Sequence, residues 1–86
     1  MSDGIAYGKT FLRIRNTLYS RDILSKIQMI NILPNSDKTK YNIRFIFWNK
    51  TPFGANDLNV DFADTEASAI LKMEMIANAL DKFLNP

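Results

Sequence analysis

Lys26-Ile27-Gln28-Met29-Ile30-Asn31-Ile32-Leu33 and Tyr41-Asn42-Ile43-Arg44-Phe45-Ile46-Phe47-Trp48 flank the polar stretch Pro34-Asn35-Ser36-Asp37-Lys38-Thr39-Lys40. Both outer runs are rich in Ile and aromatic residues, and the stretch between them is made of turn formers. This reads as a β-hairpin. If Leu33 pairs with Tyr41, then Ile27, Met29, Leu33, Tyr41, Ile43, Phe45 and Phe47 share a core face. Lys26, Gln28, Ile30, Ile32, Asn42, Arg44, Ile46 and Trp48 share the other. Ser20 offers a rival reading, because it could cap a helix through Ile23, Leu24, Ile27 and Ile30, which also fit helical spacing. The strand is preferred, since Ile27–Leu33 leads straight into the turn.

Upstream, residues 7–16 alternate with period two, as a half-buried strand does. Thr10, Leu12 and Ile14 would face the core; Tyr7, Lys9, Phe11, Arg13 and Arg15 would face out. Downstream, 49–57 contains Pro52, Phe53 and Gly54 and reads as a loop. Leu58-Asn59-Val60-Asp61-Phe62 alternates again, with Leu58, Val60 and Phe62 inward and Asn59 and Asp61 outward.

Asp64 or Thr65 then caps a helix over 65–84, with Glu66 in its first turn. Ala69, Met73, Ile76, Leu80 and Phe83 form a wide apolar stripe, flanked by Ile70, Ala77 and Leu84. A narrower stripe, Leu71, Met75 and Ala79, is left over; it fits either contact with a second copy of the chain or a helix buried deeply by its own chain. The expected architecture is α+β, one domain over 1–86. It has a four-stranded antiparallel sheet (7–16, 26–33, 41–48, 58–62) followed by one long C-terminal helix, acting as a homodimer.

Composition narrows the chemistry. Among 86 residues there is no Cys and no His, so disulfides, thiolate metal sites and the commonest general base are absent. The expectation is no enzyme, no metal and no cofactor. Asp57, Asp61, Asp64 and Glu66 are the one carboxylate cluster, and strand-edge solvation and helix capping explain them. Neither phosphate-loop nor dinucleotide-binding glycine pattern occurs. No apolar run is long enough to span a bilayer, and the first residues lack the charged and apolar regions of a signal peptide. A cytoplasmic, intracellular location is expected, with no membrane partner.

Charge is distributed unevenly. Nine of the 11 Lys and Arg residues fall in the first fifty positions, against three acidic residues; the rest carries six Asp or Glu against two Lys. Such asymmetry often marks a surface that faces an anion. Lys9, Arg13, Arg15, Lys26, Arg44 and Lys50 fall on outward positions of the expected strands, with Phe11 and Trp48 among them. Cations replace the counterions of phosphates, and flat aromatic groups stack on unpaired bases. These eight residues are the candidate surface for single-stranded nucleic acid, DNA before RNA. The alternative is a protein-interaction module, an inhibitor, adaptor or assembly subunit of viral or mobile-element size, in which Trp48 and the arginines anchor a protein partner.

Tyr41-Asn42-Ile43-Arg44-Phe45, a Gly-containing loop, Leu58-Asn59-Val60 and the helix opening Asp64-Thr65-Glu66 together resemble the C-terminal half of the PC4-like family of single-stranded DNA-binding proteins. The resemblance implies subunits paired through their helices and curved sheets that hold single-stranded DNA. Of the candidate residues it carries over Arg44 and Lys50. The stretch 49–57, usually basic in that family, here holds Lys50 as its one cation and ends acidic.

Overall fold

The computed structural model describes residues 5–8, 10–49 and 56–85. The chain runs β1 (Ile5–Tyr7), β2 (Phe11–Ile14), β3 (Thr17–Ser20), α1 (Arg21–Leu24), β4 (Ile27–Pro34), β5 (Tyr41–Phe47), β6 (Asp57–Ala63) and α2 (Glu66–Leu84). It is α+β, as expected, but the strands do not form one four-stranded sheet. They form two antiparallel three-stranded sheets, ordered β1-β2-β3 and β4-β5-β6.

The first sheet arises because the expected strand over 7–16 breaks at Gly8. The Gly8 N–H donates to the Phe11 carbonyl at 3.0 Å. A Cβ at Gly8 would stand only 2.9 Å from that oxygen, so the tight turn excludes larger residues. The chain reverses again at Arg15-Asn16, a two-residue loop that pairs Ile14 with Thr17 and makes the unforeseen strand β3. Arg15 sits at φ 57°, which matches the primed turns that suit hairpin twist. On this sheet Leu12, Ile14 and Tyr19 are buried, while Phe11 and Leu18 are exposed.

Both readings of the segment from Ser20 hold in part. The Ser20 hydroxyl accepts from the Ile23 N–H at 3.3 Å and caps a helix, but that helix lasts one turn. The chain is already extended from Ile27, as the strand reading had it.

The second sheet follows the expected hairpin with a one-residue slip. Asn35 and Lys40 close the turn through a 2.9 Å backbone hydrogen bond, so Pro34 rather than Leu33 faces Tyr41. A slip of one residue exchanges the faces of a strand. Ile30 and Ile32 therefore pack on the core, and Met29 and Leu33 are left 47% exposed. Ile27 keeps its inward place because the register shifts between Ile27 and Met29.

In β6 a second irregularity changes the reading. Ile43 pairs with Asp61 and Arg44 with Asn59, leaving Val60 as an extra residue. Beyond this bulge the alternation inverts. Asp61, expected outside, is opposite buried Ile43, and its side chain is 10% exposed. Phe62, expected inside, pairs with Asn42 on the other face.

The Thr65 hydroxyl accepts from the Ser68 N–H at 3.1 Å and opens α2. Ala69, Ile76, Leu80 and Phe83 are buried as expected, and Ala79 joins them at 2% exposure. Ala79 is thus core and not part of a dimer surface, whereas Leu71 and Met75 stay exposed at 63% and 40%. One cluster unites both sheets and α2, with Leu12, Ile14, Tyr19, Ile43, Phe45, Ile76 and Phe83 among its members. Tyr19 meets Phe45 edge-on across the sheets, 6.0 Å between centroids. At the far end of α2, the Arg21 guanidinium donates to the Phe83 carbonyl at 2.6 Å and lies over its ring, a placement that suits the negative end of the helix dipole.

Candidate nucleic-acid interface

Two sheets sharing one core have outer faces that look in different directions, so the candidate residues among those described do not form one surface. Phe11 and Arg13 share the outer face of the first sheet, where the Arg13 guanidinium donates to the Arg15 carbonyl at 2.8 Å. Arg44 lies on the outer face of the second sheet, held by Asp57 at 2.8 Å and Asn31 at 3.3 Å. Lys26 pairs with Asp22 at 3.4 Å. Trp48 is 66% exposed just beyond β5. Lys9 and Lys50 lie outside the described residues.

Arg15 is the exception, and it points to a different place. β3 and β6 each form an edge of their sheet, and a seam runs between them. One cleft there, about 280 Å³, is lined by Arg15, Asn16, Thr17, Tyr19, Asn42, Asn59, Asp61 and Phe62, with Ile14 and Val60 behind. A second, about 300 Å³ and more apolar, continues past Thr17, Tyr19 and Asn59 to Leu18, Ile23 and Leu58.

Three cations gather at the polar end. Arg15 Cζ is 4.8 Å from the Phe62 ring centroid, Lys40 Nζ 4.6 Å and Lys72 Nζ 5.8 Å. They come from the β2–β3 turn, the β4–β5 turn and α2, three segments far apart in sequence. Among the described residues Asp61 is the carboxylate paired with two of them, with Oδ1 3.7 Å from Arg15 Nη1 and from Lys72 Nζ. Lys72 also donates to the Phe62 carbonyl at 2.9 Å.

The turn that carries Lys40 is well braced. Asn35 Oδ1 accepts from the Thr39 and Lys40 N–H groups at 2.9 and 3.1 Å. Asp37 accepts from the Thr39 hydroxyl at 2.7 Å, and this bond, with the Thr39 N–H, holds its carboxyl below its ordinary value. On the opposite wall, burial pushes the Tyr19 phenol up, the Thr17 hydrogen bond opposes this, and the Asp61 charge adds to it.

Chemically the seam offers cations for phosphates, Asn amides that both donate and accept, and ring faces. Sequence reading found Arg15 and missed the others. Lys40 was read as turn filler, Lys72 lay on a helix chosen for its apolar stripe, and Phe62 was assigned to the core. Among the described residues no three Asp or Glu are grouped to hold a metal ion, and no helix is long and apolar enough to cross a membrane. Comparison with family models, with curated proteins and with solved structures finds no match.

Proposed function

We propose that this protein binds single-stranded nucleic acid in the seam between β3 and β6, and not on an open sheet face. The observation that carries this reading is the convergence of Arg15, Lys40 and Lys72 on Phe62, with Asp61 paired to Arg15 and Lys72, at the mouth of an amide-lined cleft. Each cation alone is ordinary surface chemistry. Three on one ring leave a local excess of positive charge, which phosphates neutralise with release of counterions. A duplex is a poor fit, because a cleft of about 280 Å³ does not admit it. Nor does α2 suit a groove, since the exposed residues Glu66, Glu74 and Asp81 accompany Lys82 on it.

The test is anisotropy of a labelled oligothymidylate across a salt series. Each phosphate contact contributes a slope of about −0.7 in log K against log salt for single strands. The wild type should bind at low salt. K40A/K72A should lose about tenfold and flatten the slope by roughly 1.4. R44A is the control, because Asp57 already holds Arg44. Trp48 gives a second readout: it lies about one strand length from Phe62, roughly 20 Å at 3.3 Å per residue, so seam binding leaves its fluorescence unquenched. No binding at low salt, or an R44A loss as large as that of K40A/K72A, would sink the proposal.

The homodimer is retained as part of this reading, on narrower grounds. Leu71 and Met75 lie one turn apart and exposed on α2. An antiparallel two-fold pairing level with Met73 sets Leu71 against Met75, which makes the apolar stripe self-complementary.

A further inference from the structure

We infer that the Arg15–Lys40–Lys72 cluster takes the phosphomonoester at the end of a nucleic-acid strand, and not an internal phosphodiester. This rests on the reading that the seam binds nucleic acid, and it names which part of the strand the site holds. Two observations carry it.

The first is charge. Three cations and one carboxylate leave a local charge near +2. An internal phosphodiester brings one negative charge, whereas a terminal phosphate brings about −1.5 to −2 at neutral pH. The cluster matches the second.

The second is shape. Arg15 reaches from the β2–β3 turn to Asp61 and Phe62 on β6 and so bars the seam at its polar end. A chain lying along the seam from the Leu18–Leu58 side meets this bar and stops, so the cleft receives an end and not a passing strand. Its volume of about 280 Å³ is at the small limit of ligand pockets and suits one nucleotide. Arg15 stacked on Phe62 still directs its N–H edge away from the ring. The Lys40 head beside that ring is held by a contact weak enough to turn toward an oxyanion, and Lys72, with one N–H given to the Phe62 carbonyl, keeps further donors for it.

The experiment uses labelled oligothymidylates of one length carrying a 5′-phosphate, a 3′-phosphate or neither. Anisotropy is read at about pH 7.5 and about pH 5.5, on either side of the second phosphate pKa of about 6. One phosphorylated end should bind about tenfold tighter than the unphosphorylated strand, the scale of one charge-assisted contact. That preference should shrink at the lower pH and disappear in K40A. The pH arm uses the wild-type chain, so it stands whether or not a variant folds. Equal, salt-sensitive affinity for all three strands would overturn the end-binding inference and leave the seam reading intact. A preference that ignores pH would overturn it too, because charge would not be its source. No binding of any strand would overturn both.

Discussion

Replacing Arg15 by Gly should leave the fold nearly as stable as the wild type and still weaken nucleic-acid binding. Replacing it by Ala should harm both. The reasoning starts from the backbone. Arg15 sits at φ 57° in a two-residue hairpin loop, where a residue with a Cβ is strained by about 1 kcal/mol and Gly is not. The side chain returns part of that cost. Its stacking on Phe62 at 4.8 Å is worth about 0.5–1 kcal/mol at a partly exposed site. Its ion pair with Asp61 at 3.7 Å, with the arginine 45% exposed, adds a few tenths to about 1 kcal/mol. Ala loses both contacts and keeps the strain, a net loss of about 1–2 kcal/mol. Gly loses the contacts and relieves the strain, a net change of about 0–1 kcal/mol. For a domain of this size 1 kcal/mol moves Tm by about 4–8 °C, so R15A should melt roughly 4–16 °C low and R15G no more than about 8 °C low.

Circular dichroism melts and the salt-series anisotropy settle this together. Both variants should lose about 0.7 of salt slope, the value of one phosphate contact. Because R15G stays folded, its loss cannot be blamed on unfolding. Should Gly prove as destabilising as Ala, the positive φ stores no strain. Should R15G bind with the wild-type slope, Arg15 is not a phosphate ligand, and a strained arginine in this turn needs another reason.

Two other outcomes are expected. Burial raises the Tyr19 phenol pKa in the folded state, so the unfolded chain releases that proton first, and Tyr19 contributes stability that is present below about pH 10 and lost as pH rises above it. Y19F should flatten the alkaline limb of a pH-dependent urea titration; an unchanged limb would refute the assignment. At α2, sedimentation equilibrium should show reversible self-association that L71S/M75S abolishes without lowering the Tm of the dilute monomer, since both residues are exposed. A wild type that stays monomeric at all concentrations would rule the helix pairing out.

Much of the fold is legible in the chain because periodicity survives wherever the backbone is regular. Ile43, Phe45 and Phe47 alternate into the core of β5 as written, and α2 follows its wide stripe and its Thr65 cap. What is not legible are the places where one residue changes the count. Gly8 and Arg15 cut the apparently continuous strand over 7–16 short at both ends, and β3 follows it unforeseen, because Leu12 and Tyr19 bury on paired strands in a way no single-strand pattern reveals. Pro34, with no N–H to give, ends β4 one position later than the apolar run does.

The same irregularities build the candidate site. The Val60 bulge turns Phe62 out of the core and Asp61 toward the seam. The turn that the slip closes between Asn35 and Lys40 sets Lys40 beside that ring. The strained turn at Arg15 carries the third contact across to β6. A sequence whose levels agree everywhere would have none of these, and local disagreement concentrates where function or strain demands it. A deletion separates the register from the extra residue that created it: without Val60, Asp61 would still face Ile43 and Phe62 would still face Asn42, so the three cations should keep their ring while the core loses a buried side chain.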